Sequence, residues 1–96
     1  MSAKLKEWNI GNYLKTPEER QAFLDAAIAE NDPQFLAVAL GDIARAEGVA
    51  QVASRANLHR ENIYRSFSQK GNPTLKSFLR LLDALNLQLS ISPKVF

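Results

Sequence analysis

The sequence predicts an all-α domain of about five helices closed by one short C-terminal β-strand. Residues that favour helix N-caps, Thr16, Asp32 and Thr74, stand immediately before apolar-periodic stretches. Through most of the chain the apolar residues recur every three or four positions, the period of a helix with one buried face. A two-residue alternation occurs only near the C-terminus, over residues 87–92.

Each element has its own signal. In Thr16-Pro17-Glu18-Glu19, Thr16 is an N-cap type, Pro17 suits the first helical position and Glu19 occupies the reciprocal capping-box position. The helix runs from 17 to about 30, with Phe23, Ala26, Ala27 and Ile28 as its apolar stripe and Glu18, Arg20, Asp25 and Glu30 elsewhere on the surface. Asn31-Asp32-Pro33 repeats the start signal, and a second helix from 33 to about 47 carries Phe35, Leu36, Ala39, Leu40 and Ile43. Gly48 stops it or starts the next. Residues 49–56 read as a short helix, followed by Asn57, which tolerates the left-handed conformation of a tight turn. Residues 59–67 fit another helix with Ile63 and Phe67 on one face. Residues 69–73 are a loop by composition, and Thr74 caps a last helix carrying Leu75, Phe78, Leu79, Leu82 and Leu85, ended by Asn86. Leu87, Leu89 and Ile91 then alternate with Gln88, Ser90 and Ser92, a strand closed by Pro93.

Length and composition limit the function classes. Ninety-six residues suffice for one modest core, so 1–96 is read as one domain: extension and first helix to 31, a core from 32 to 86, strand and tail from 87. With 46% apolar and 23% charged residues the chain is of ordinary soluble composition, and no apolar run approaches the roughly 20 residues of a membrane span. The N-terminus has lysines without a following apolar stretch, so no secretory signal is expected. Absence of cysteine removes thiol catalysis and thiolate zinc sites and fits the cytoplasm. His59 is the sole histidine and no acidic partner is placed to make a ligand set or catalytic pair with it, which leaves a turn or cap histidine. The 69–73 loop lacks a phosphate-cradle pattern. No enzyme, metal or cofactor is expected.

The charge is unevenly distributed. Residues 1–42 have a balance of −3 and residues 43–80 a balance of +5, within a formal net charge of +2. A positive block of this kind suits a surface facing phosphates. It coincides with two short helices joined by a tight turn, the helix-turn-helix geometry that places a second helix in the major groove of double-stranded DNA. Ala53 is small where the helices would cross, and Val52, Leu58 and Ile63 would fix their angle. The outward residues of the second helix are then His59, Arg60, Glu61, Asn62, Tyr64 and Arg65. Arginine and asparagine can each make two hydrogen bonds to one base edge. Glu61 either accepts from a cytosine amino group or, as favoured here, orients Arg65 four residues on. Gln51, Ser68, Lys70 and Asn72 flank the helices as phosphate donors, Lys70 foremost.

The strand bears on assembly. It must pair its backbone groups, and the chain offers no second clear strand, so the expected partner is another copy related by a two-fold axis. Leu87, Leu89 and Ile91 would face the shared interior, and a homodimer would set two recognition helices about 34–36 Å apart on a palindromic operator. Pairing near residues 8–10, and pairing only with a different partner protein, are the alternatives. Trp8, Ile10, Tyr13 and Leu14 read as core staples over the first helix, or as an apolar patch for a partner.

Over residues 36–86 the chain resembles the Cro/repressor (XRE-type) helix-turn-helix family. The stretch from Gly48-Val49-Ala50-Gln51 to Ile63-Tyr64-Arg65, and that from Gly71-Asn72-Pro73 to Leu85-Asn86-Leu87, carry the likeness. It implies a lambda-repressor-like fold. More narrowly, Trp8-Asn9, Tyr13-Leu14-Lys15-Thr16, Gly41-Asp42-Ile43-Ala44-Arg45, Asn62-Ile63-Tyr64-Arg65 and Gly71-Asn72-Pro73 make nearly the whole chain similar to HigA-like addiction-module antidotes. That resemblance implies the antitoxin half of a type II toxin–antitoxin pair, with a small RelE/ParE-type toxin as partner and repression of its own operon. Asn57 stands where such motifs usually carry glycine, and His59 where a serine or threonine commonly caps the recognition helix. An XRE-type regulator without a toxin, and an interaction module that does not bind DNA, are the rival readings.

Overall fold

The computed structural model describes residues 16–94, which form five helices: α1 (Pro17–Ala29), α2 (Pro33–Glu47), α3 (Val49–Ala56), α4 (Arg60–Ser66) and α5 (Leu75–Ala84). The expected stripe of Trp8, Ile10, Tyr13 and Leu14 lies outside the described residues. The caps form as their residue types dictate. Glu19 N–H donates to Thr16 Oγ1 and Thr16 N–H to Glu19 Oε1, both at 3.1 Å, so two backbone donors are satisfied reciprocally. Asp32 accepts from the N–H groups of Gln34 and Phe35, and Thr74 from that of Ser77. Gly48, at φ 113°, closes α2 by donating to the Ala44 carbonyl and opens α3 by accepting from Val52, which joins the two helices without a loop.

α3 lies at the centre, in contact with α2, α4 and α5, while α1 packs on α2. Its buried residues Val49, Val52, Ala53 and Ala56 repeat at three- and four-residue intervals. They join Leu24, Leu40, Ile43, Ile63, Phe67 and Leu81 in one core cluster. Full burial of each large side chain in that cluster stabilises the fold by about 1.5–3 kcal/mol.

Two helices bury only part of the face their sequences suggest. In α1 the buried line is Arg20, Leu24 and Ala27, with Phe23 half-buried and Ala26 and Ile28 exposed. A charged residue can occupy that line because Arg20 Nη1 donates to Glu47 Oε1 at 2.7 Å, while Arg55 Nη2 lies 3.6 Å from Glu47 Oε2. Glu47 thus ties α1 and α3 to the end of α2. In α5 Leu82 and the closing Leu85 are buried as expected and Phe78 is half-buried, joined by Ser77, Leu81 and Ala84, whereas Leu75 and Leu79 remain 69% and 45% exposed.

The expected C-terminal strand is not formed: residues 87–94 adopt no strand, and no second strand exists among the described residues to complete a ladder. Leu87 instead completes a helix cap. Asn86 takes the left-handed conformation, its N–H donates to the Asp83 carbonyl, and Leu87 N–H donates to that of Leu82 at 2.9 Å, the bond pattern of a Schellman motif. Leu87 is consequently buried in its own chain, whereas Leu89 and Ile91 are exposed.

The Glu47 bridge has a defined pH dependence. The hydrogen bond from Arg20, followed by the charges of Arg20 and Arg55, holds the Glu47 carboxyl below its ordinary value of 4.5 despite the opposing effect of burial. A depressed carboxyl stabilises the fold fully above its ordinary value and loses that contribution as the pH falls through the folded-state value. Asp42 opposes it, since burial raises its carboxyl above 3.8 against the attraction of Arg45, so its cost to the fold disappears on acidification. Glu47→Gln isolates the first effect. We expect a loss of about 1–2 kcal/mol at pH 7, less than for a fully buried pair because Glu47 is partly solvated. In thermal melts the gap between variant and wild type should narrow steadily below pH 4.5. A gap independent of pH would show that the Glu47 charge does not contribute.

Candidate nucleic-acid interface

The unit formed by α3, the turn and α4 is built by one left-handed residue. Asn57 has φ 57° and ψ 46°. Its N–H donates to the Ser54 carbonyl at 3.3 Å, and Leu58 N–H donates to that of Ala53 at 2.9 Å, which satisfies the free carbonyls of α3 and turns the chain sharply. Asparagine thereby does here what glycine does in many such turns, at a modest cost in backbone strain. Leu58, half-buried, packs against the core beside the buried Val52 and Ala53 of α3 and Ile63 of α4.

His59 sits at the N-cap of α4 in extended conformation and makes no capping bond through its side chain. An imidazole at this position is a weaker cap than a serine or threonine hydroxyl, as its residue type implies. Glu61 partly compensates, because a carboxylate in the first turn opposes the positive end of the helix, and Arg65 complements the last turn. No ion pair joins Glu61 to Arg65 among the described residues. Both side chains instead answer the helix ends.

Ile63 and Phe67 anchor α4 to the core, which leaves His59, Arg60, Glu61, Tyr64 and Arg65 exposed on its outer side. Asn62 is different. It is half-buried, and its Oδ1 accepts from Ser66 Oγ at 2.6 Å, so part of its hydrogen-bonding capacity is used within the helix. Ser68 is similarly engaged, its Oγ donating to the Arg65 carbonyl at 2.9 Å. Gln51 is exposed near the start of α3, and Lys70 and Asn72 are exposed on the loop between α4 and α5.

The positive block divides into two groups. Arg45 is paired with Asp42 at 2.8 Å and Arg55 approaches Glu47. Arg60, Arg65, Lys70, Lys76 and Arg80 form no ion pair among the described residues, and they lie on α4, the following loop and α5. Sequence reasoning treated all of them alike, because the three-residue spacing of Asp42 and Arg45 is visible but the long-range bridge to Glu47 is not. It also missed an apolar groove of about 450 Å³ lined by Pro33, Leu36, Pro73, Leu75 and Phe78, with Lys70 and Asn72 at its edge. The described residues contain no group of side chains arranged to hold a metal ion and no helix long and apolar enough to cross a membrane.

A family model described as "Probable addiction module antidote protein" matches residues 4–93. The chain belongs to that family. An uncharacterized protein of Haemophilus influenzae (strain ATCC 51907 / DSM 11121 / KW20 / Rd) is 35% identical over 96 residues, spanning 100% of this chain and 99% of the relative. No solved structure matches the chain. An addiction module antidote has a toxin as its counterpart, so a toxin partner follows from the family itself. The antidote assignment agrees with the resemblance read from the sequence at the level of the family.

Proposed function

We propose that this antidote is HigA-like with an XRE-type helix-turn-helix, binds double-stranded DNA through α4, and represses its own operon. Its toxin is of the RelE/ParE type, and it neutralises that toxin by binding in the cytoplasm, without catalysis or a cofactor. The observation that carries the DNA reading is the set of cations on α4, the next loop and α5 that form no ion pair among the described residues, beside a helix held by its inner face. Arg60 and Arg65 read bases, with Tyr64 beside them; His59, Gln51, Lys70 and Asn72 position the backbone. Asn62 and Ser68 contribute less, since each is already bonded within the chain.

Titration of duplex DNA from upstream of the gene tests this. Affinity should fall about tenfold or more between 50 and 200 mM salt, as counterions released by Lys and Arg contacts require. Absence of any salt-sensitive binding would leave an antidote that acts on protein alone.

The same reading places two copies on a palindromic operator. Among the described tail residues, Leu89 and Ile91, 37% and 91% exposed, are available for a homodimer, whereas Leu87 is occupied in its own core. Truncation after Gln88, which keeps the Leu87 cap and its place in the core, should shift sedimentation from dimer to monomer and weaken operator binding. A truncated protein that remains dimeric would remove the tail from the interface.

A further inference from the structure

The end of the α1–α2 hairpin has a different character from the rest of the surface. Two shallow clefts, of about 360 and 210 Å³, flank the turn between the helices. Phe23 and Phe35 line the first, edge to face with centroids 6.0 Å apart, and Ile28 lines the second. Phe35 is 42% exposed and Ile28 38%. An aromatic left this open at the mouth of a cleft is costly in water and is a common anchor point in protein interfaces.

The charge around the clefts selects the occupant. Residues 21–44 contain no lysine, arginine or histidine. Glu30 and Asp32 are exposed and line the first cleft itself, and Asp25 is exposed on α1. The face therefore repels phosphate and attracts cations, opposite in sign to the α4–α5 region. We infer that this hairpin end docks a cationic protein, an apolar side chain of which enters beside Phe35 while its Lys and Arg residues meet Asp25, Glu30 and Asp32. On the proposed reading of this antidote, that protein is its toxin, and the inference rests on that reading.

The test uses the full-length antidote and, as probe, the purified small basic protein encoded beside its gene. Asp25→Lys/Glu30→Lys reverses the exposed charges without touching the core; lysine at position 30 even suits the C-terminal end of α1. Its dissociation constant should rise about tenfold or more, chiefly through slower association, and Phe35→Ala should weaken binding about tenfold through faster release. The control Asp83→Lys on α5 should bind the probe as the wild type does, and the operator affinity of Asp25→Lys/Glu30→Lys and of Phe35→Ala should be unchanged. Equal affinity of wild type and both variants, or an equal loss in the control, would overturn the site while the toxin reading stands. Altered sedimentation of the variants alone would assign the face to a second copy and overturn it too. A wild-type protein that does not bind the probe would remove the toxin reading, and the docking site with it.

Discussion

Gly41→Ala should lower the melting temperature by about 10 °C or more, although alanine is intrinsically the better helix former by about 1 kcal/mol. Gly41 is buried in α2 where that helix meets the end of α4. A Cβ added there would collide with the carbonyl oxygen of Phe67 and stand 3.3 Å from its Cβ. The obstructing atom belongs to the backbone, so it cannot move aside as the tip of a flexible side chain would. Phe67 is itself fully buried and closes α4, so relief requires displacing α4 from α2. Overpacking of this kind costs about 1–3 kcal/mol or more, exceeding the gain in helix propensity. Gln34→Ala, on the exposed first turn of the same helix, is the comparison and should melt like the wild type. An undiminished melting temperature for Gly41→Ala would show that α2 and α4 are not in such close contact.

Gly41 also marks where sequence reasoning stops. Three helix starts rested on a local side-chain cap, Thr16 with Glu19, Asp32 with Gln34 and Phe35, and Thr74 with Ser77, and those are legible because both partners lie within one turn. Asn57 and Asn86 were legible for the same reason. Faces of the helices were less so. The Leu-rich run of α5 fits more than one inward stripe, and contact with α3 selects the one containing Leu81 and Leu82 over Leu75 and Leu79. Arg20 enters the core line through a residue 27 positions away, a distance at which no helical period speaks. The C-terminal alternation shows the opposite failure: a two-residue period describes what a strand would look like, but pairing needs a second strand. In the candidate interface the outward arginines were legible from Ile63 and Phe67 facing inward. The internal bonds of Asn62 and Ser68 were not, since the same residues would be equally good DNA donors if free.

Replacing Arg60 and Arg65 together by alanine should reduce operator affinity by about 100-fold or more, each lost base contact costing about 1–3 kcal/mol. Both are exposed and neither forms an ion pair among the described residues, so the variant should melt like the wild type. The loss can then be assigned to the interface. Lysine at each position distinguishes the two ways an arginine can act. A phosphate contact needs positive charge, which lysine retains, whereas reading a guanine edge needs the planar fork of two donors, which lysine lacks. If Arg60 and Arg65 read bases, Arg60→Lys and Arg65→Lys should keep binding to unrelated duplex DNA and lose preference for the operator. Should the lysine variants retain that preference, these residues hold the backbone and sequence is read elsewhere. Unchanged operator binding by the double alanine variant would remove α4 as the recognition helix, because its anchored inner face leaves no other arginine on it to reach the bases.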